Sequence, residues 1–318
     1  MNLSARSSAV RAGMAYGAAV GGLFLAELLL SRSQSAATFG EYQIVRQLVP
    51  LVVALALMGI DQALMRRTIE TGDDGLFRPY VLRSLVAAAV LGAASAAVIA
   101  VMYHVSLVTT VAAALAPLFV VASELSAALL RARGSYVASA ALQQGYRLLT
   151  AFLLVVAVLR GPVSTTVANG ILLASALVCG LVALPVIART PDTGARRQRE
   201  LHRIGVGFGV SMLTFAGLDW ADQAFLSYRF DTLAAGGAYA ANKLVTVYPA
   251  ITLASVLGFV ALPELVRRVS SLTSDLFFRM LAAAGVLSLA FAVVLGSLLH
   301  WSGTAFVQVQ PSLLSVYL

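Results

Sequence analysis

Residues Gly40–Arg67, GEYQIVRQLVPLVVALALMGIDQALMRR, decide the architecture of this 318-residue chain. A bilayer-crossing helix takes about 20 mostly apolar residues, and residues 42–65 supply them. The stretch opens on Gly40-Glu41-Tyr42, carries Arg46 and Pro50 inside, and closes on Arg66-Arg67. The same order returns about 200 residues later, in Gly237-Ala238-Tyr239, Lys243, Pro249 and Arg267-Arg268. A Gly-x-Tyr entry, an internal cation, an internal proline and a closing Arg-Arg thus read as an internal repeat. Both copies lie in spans of one orientation, so the repeat is parallel. It predicts two six-helix halves related by an axis along the membrane normal.

Composition sets the solvent. The chain is 60% apolar and 11% charged, against about 25% charged in soluble globular domains. It has too little polar surface to coat a water-soluble body, so lipid is its main solvent. Nine stretches are long and apolar enough to span, at roughly 13–31, 42–65, 81–103, 107–130, 137–159, 165–188, 204–228, 235–262 and 280–300. A tenth begins near Thr304 and stops at Leu318. Arg6 and Arg11 precede a first span without a small-residue cleavage site, which reads as a retained anchor rather than a signal peptide.

With the N-terminus inside, sixteen of the 22 Arg and Lys residues fall in cytoplasmic segments. They are Arg6, Arg11, Arg66, Arg67, Arg78, Arg83, Arg131, Arg133, Arg189, Arg196, Arg197, Arg199, Arg203, Arg267, Arg268 and Arg279. Only Arg32, Arg160 and Arg229 fall on the other side. Lys and Arg are held back during insertion, so the bias records topology and predicts a multi-pass bacterial inner-membrane protein. The net charge of +8 follows from that topology and from anionic headgroups, not from nucleic acid. The longest gap runs from Ala188 to Arg203, too short for a soluble domain. Chemistry must therefore occur inside the membrane or at its faces.

Seven charged residues fall within spans: Glu27, Arg46, Glu124, Arg147, Asp219, Asp222 and Lys243. Facing lipid, they would together cost on the order of 20 kcal/mol, so they must face one another or water. Gln43, Arg46 and Gln47 share one helical face; so do Gln143, Gln144 and Arg147, and Asp219, Asp222 and Gln223. Three polar stripes on apolar helices predict a lined cavity. Arg46, Arg147 and Lys243, with Gln43, Gln47 and Gln144, would bind an anionic group there, guanidinium forks matching phosphate oxygens. Glu27, Glu124, Asp219 and Asp222 are the candidate ion-coupling acids. The competing reading is that such charges pair merely to fasten helices, Glu27 with Arg46 or Asp222 with Lys243.

Other signals are weaker. Asp61 and Gln62 read as an interfacial group beside Arg66 and Arg67, and Asp73-Asp74 as a solvated turn. Pro50, Pro117 and Pro249 interrupt spans two, four and eight and permit bends. Cys179 is the single cysteine, which excludes an intrachain disulfide. His104, His202 and His300 are scattered, so no metal site and no cofactor is expected, and no nucleotide-binding glycine loop is present.

Two stretches resemble the polysaccharide and O-antigen flippases of the multidrug/oligosaccharidyl-lipid/polysaccharide exporter superfamily. One is Phe39–Arg67; the other is Ile204–Arg268, in which Asp219 or Asp222 precedes Gly237, Tyr239 and Pro263 in the family's order. The resemblance implies two six-helix bundles around a cavity that opens alternately to each side, and a lipid-linked sugar as cargo. Its cationic cavity residues would map onto Arg46, Arg147 and Lys243. Family members have 12 to 14 spans, so the chain is expected to carry an N-terminal six-helix bundle over 1–190 and an incomplete C-terminal bundle over 191–318.

The expected function is accordingly a flippase, not an enzyme, moving a polyprenyl-diphosphate-linked oligosaccharide to the periplasmic leaflet. Its partners would be that lipid, the surrounding membrane and polysaccharide polymerase or assembly proteins. The rival readings are a cation-coupled multidrug exporter of the same superfamily and a non-transporting scaffold of a polysaccharide assembly complex. An integral-membrane glycan polymerase would require a large periplasmic loop, and the gaps leave no room for one.

Overall fold

A computed structural model describes residues 3–190, 199–230 and 233–246, and the chain is all-α among them. The helices are α1 (Leu3–Ser33), α2 (Ala36–Leu57), α3 (Ile60–Thr71), α4 (Arg78–Tyr103), α5 (Leu107–Ala132), α6 (Tyr136–Arg160), α7 (Thr165–Ala188), α8 (Arg199–Arg229) and α9 (Leu233–Thr246). Seven of these, α1, α2 and α4 to α8, are long and apolar enough to cross a membrane. Of the predicted eighth span only α9 is described. The spans at 280–300 and beyond Thr304, with Pro249, Pro263 and Arg267-Arg268, lie outside the described residues.

Caps explain where the helices start. Ser35, Ser106 and Ser164 each precede a helix, and each hydroxyl accepts a hydrogen bond from the backbone N–H three residues on. That satisfies a donor the helix leaves open. The prolines do not break the helices: Pro50, Pro117 and Pro185 lie inside α2, α5 and α7.

The predicted single span over 42–65 is instead two helices. α2 stops at Leu57, Met58 (φ 46°) and Gly59 (φ 70°) adopt left-handed backbone, and α3 restarts at Ile60. The cause lies on α8. A Cβ on Gly59 would collide with the Gly205 carbonyl and stand 2.6 Å from the Gly209 nitrogen. One on Gly209 would stand 2.5 Å from the Met58 carbonyl carbon. The turn and α8 therefore pack backbone against backbone, which glycines four apart on a membrane helix permit.

Helix α5 is the hub, packing against α2, α3, α4, α6 and α7, while α1 lies along α6. The buried face of α4 is Tyr80, Ser84, Ala88, Gly92 and Ala96, a four-residue repeat of mostly small side chains. Its other faces expose Leu82, Val86, Val90 and Val101, as a lipid-facing helix should.

Contacts across the gaps fix the alternation. At one end, Arg133 pairs with Asp74 at 2.6 Å, joining the α3–α4 and α5–α6 connections. At the other, Gln34 bonds the Val163 carbonyl and Glu41 accepts from Ser106 and Thr109, joining the remaining connections up to α7. The first is the Arg-rich end that the charge bias assigns to the cytoplasm.

The chain divides into two compact units, Met1–Gly237 and Ala238–Leu318. Helix α8, placed by the sequence after a boundary at residue 190, packs on α2 and α3 inside the first unit. The repeat also leaves a trace there. A Cβ on Gly40 would collide with the Leu233 carbonyl, and one on Gly237 with the Ala36 carbonyl. The two motif glycines thus meet in a reciprocal contact.

Gly40→Ala should therefore lower the thermal stability of the detergent-purified chain by about 1–3 kcal/mol. Gly170, whose added Cβ would meet nothing, should accept alanine with stability held or raised by up to about 1 kcal/mol. Unfolding temperatures of the two variants check the contrast.

Candidate functional site

Glu27 on α1 is fully buried and anchors the first polar cluster. Arg46 on α2 donates through Nε to Glu27 Oε1 at 2.7 Å, and the Tyr42 hydroxyl donates to the same oxygen at 3.3 Å. Tyr42 and Arg46 are four residues apart, so one face of α2 delivers both. Gln43, buried on the same helix, stands beside the carboxylate. Glu27 Oε2 and the Gln43 carbonyl oxygen are buried without hydrogen-bond partners.

Arg147 approaches from α6. Its Nη1 donates to Gln144 at 3.0 Å and its Nε to the Tyr146 hydroxyl at 3.0 Å, with the guanidinium 5.6 Å from the Tyr146 ring centre. Arg46 and Arg147 lie within electrostatic reach of one another, as do Tyr42 and Tyr146. Arg46 pairs with Glu27, and Arg147 lies within electrostatic reach of both Arg46 and Glu124. Unused amide and carboxylate acceptors remain beside the Glu27 pair.

A second cluster lies toward the Arg-rich end. Arg131 Nη2 donates to Gln143 at 2.5 Å, and Gln143 donates in turn to Glu124 at 2.9 Å. Asp61 belongs here, which corrects the expectation of an interfacial pair with Arg66 and Arg67. Those two arginines bond Glu70, at 2.9 and 3.5 Å. Asp61 is only 2% exposed and faces Glu124 and Arg131. Asp61 is the second residue of α3, just after the left-handed turn at Met58-Gly59.

The remaining predicted residues lie on α2, α8 and α9. Gln47 is buried on the Arg46 face of α2. Asp219 and Asp222 are half-buried on α8. Lys243, 6% exposed in the second unit, holds its ammonium 5.5 Å from the Tyr239 ring centre. Sequence reasoning missed Tyr42, Tyr146 and Arg131. The two tyrosines had a signal, being four residues from Arg46 and adjacent to Arg147. Arg131 had none, since it reads as one more topology arginine. A cavity of about 150 Å³ lies apart from both clusters, lined by Leu55, Met58, Tyr80, Arg83, Ser84 and Val206 among others. No group of potential metal ligands occurs among the described residues.

No protein-family profile and no curated protein sequence matches the chain. A solved structure does, that of the MATE multidrug transporter DinF-BH in complex with R6G. The match has a TM-score of 0.63 at 13% identity, over 98% of this chain and 74% of the transporter. The fold is MATE-like. At that identity the likeness is one of fold.

Removing one partner of a buried ion pair costs more than removing both. Glu27→Gln should destabilise the purified chain by about 3 kcal/mol, because it removes the carboxylate that Arg46 pairs with. Glu27→Gln combined with Arg46→Gln should recover most of that loss, as read by unfolding temperature.

Proposed function

We propose that this chain is a transporter that flips a polyprenyl-diphosphate-linked oligosaccharide across the inner membrane by alternating access. The observation that carries the reading is that two guanidiniums inside the bundle, Arg46 and Arg147, lie within electrostatic reach of one another. Such a site favours an anion. A diphosphate fits the guanidinium geometry, and the free amide oxygens beside it suit sugar hydroxyls. A diphosphate headgroup cannot cross hydrocarbon unaided, because burying unpaired charge is prohibitive. The protein shields the headgroup while the polyprenyl tail stays in lipid.

Coupling follows from competition. Glu27 and the substrate's phosphates are alternative partners for Arg46. A proton on Glu27 releases Arg46 to the anion, and the loss of that proton favours release of the anion. Asp219, Asp222 and Glu124 are the further acids available for the return stroke. Assembly with polysaccharide polymerases would place the exported lipid where it is consumed.

A second reading, a cation-coupled exporter of amphipathic drugs, is favoured by the fold likeness to a multidrug transporter. It requires no lipid carrier and predicts export of free small molecules.

In cells lacking the gene and any redundant flippase, radiolabelled lipid-linked oligosaccharide should accumulate in the cytoplasmic leaflet. Restoring the chain should clear it, and Arg46→Ala should slow clearance by at least about tenfold, the equivalent of one lost charged hydrogen bond. Clearance at the normal rate by the variant would remove Arg46 from the scheme. No accumulation would transfer the assignment to drug export.

A further inference from the structure

Helices α4 and α8 both pack against α2 and make the walls of a groove that α2 floors. One end of the groove is shut: the Tyr103 hydroxyl, on the last residue of α4, donates to the Ala224 carbonyl of α8 at 2.9 Å. At the Arg-rich end the same helices stand apart around the cavity of about 150 Å³. Its floor is Leu55, Leu57 and Met58, where α2 stops, with Ala87 of α4 on one wall and Val206 of α8 on the other. Met58, Arg83 and Val206 line it and are exposed, so its mouth is at the surface of the bundle.

Each wall carries the same order of residues. On α4, exposed Arg83 comes ahead of exposed Val86 and Val90; on α8, exposed Arg203 comes ahead of exposed Val206 and Val210. Spacings of three and four put each set on one helical face. Both helices begin at the Arg-rich end, and helical side chains lean toward their helix N-terminus. Each guanidinium is therefore directed to the headgroup layer, and the valines lie in the acyl region below it. Tyr80 and Ser84 add hydroxyls to the lining.

These two features select one kind of occupant. A small anion would satisfy the arginines and leave the apolar cavity unfilled, forfeiting its dispersion contacts. A neutral lipid would fill the cavity and leave the cations without a counter-charge. We propose that this cavity binds an anionic phospholipid of the leaflet at the Arg-rich end. Its phosphate lies at Arg83 and Arg203, and one acyl chain runs between α4 and α8 over the end of α2. The site rests on the charge and exposure of the two arginines, whatever other bonds they make. It is separate from the Glu27 and Glu124 clusters, and it does not depend on the flippase reading.

Native mass spectrometry of the full chain, delipidated in detergent and free of transport substrate, tests the site. The chain is titrated with phosphatidylglycerol or with phosphatidylcholine of equal chain length. Phosphatidylglycerol should bind more tightly, and Arg83→Gln should weaken it about fivefold, the worth of one arginine near an anionic headgroup. Arg203→Gln should do the same, whereas Arg160→Gln, exposed at the other end of the bundle, should leave it unchanged. Ala87→Phe should also weaken it, by filling the cavity with both arginines in place. Should that variant fail to fold, the three exposed arginine variants decide. Equal binding of the two lipids overturns the proposal, as does an equal loss in Arg83→Gln and Arg160→Gln. Full displacement of the lipid by inorganic phosphate also overturns it, because the acyl chain would then contribute nothing.

Discussion

A buried carboxylate that neighbouring helices must satisfy is the constraint around which the described part of this protein is arranged. Glu27 has no water to solvate it, and hydrocarbon offers no substitute. It must be met from other helices, by Arg46 and Tyr42 of α2, with the Arg147 helix α6 packed along α1. Buried pairs stabilise poorly on their own, and a second guanidinium, Arg147, lies within electrostatic reach of Arg46. An anion bound to both guanidiniums would relieve that repulsion.

Close backbone packing holds this arrangement in place. Lipid tails are as apolar as leucine, so helices in a membrane gain little from burying large side chains and much from close approach. Gly59 against Gly205 and Gly209, Gly40 against Gly237, and Gly92 against the Ala114 carbonyl are three such approaches. The first also ends α2 at a left-handed turn, after which α3 restarts at Ile60.

Much of this was legible from the residues. The apolar spans and their Arg-poor and Arg-rich gaps gave the alternation of the long helices, because insertion itself reads those two properties, while the break of the second span into α2 and α3 was not visible. Arg46 and Glu27 were recognisable as a set because no isolated charge survives in hydrocarbon. The Gly-x-Tyr repeat was visible as well, and its glycines prove to touch. Asp61 was misread, because the nearby Arg66 and Arg67 suggested partners that in the fold bond Glu70 instead. Arg131 was hidden for the opposite reason. Its sequence position explains it fully as a topology residue, and only packing shows that it also reaches Gln143. Placing α8 with the first unit likewise needed the three-dimensional contact.

The central claim is that the Glu27, Arg46 and Arg147 cluster is a receptor for an anionic headgroup. The most direct measurement is ligand-induced thermal stabilisation of the purified chain, comparing a short-chain polyprenyl diphosphate with a cationic amphiphile of equal chain length. The account predicts a concentration-dependent rise in unfolding temperature with the diphosphate, abolished when Arg46 and Arg147 are both replaced by glutamine, and none with the cation. Stabilisation by the cationic amphiphile alone would contradict it.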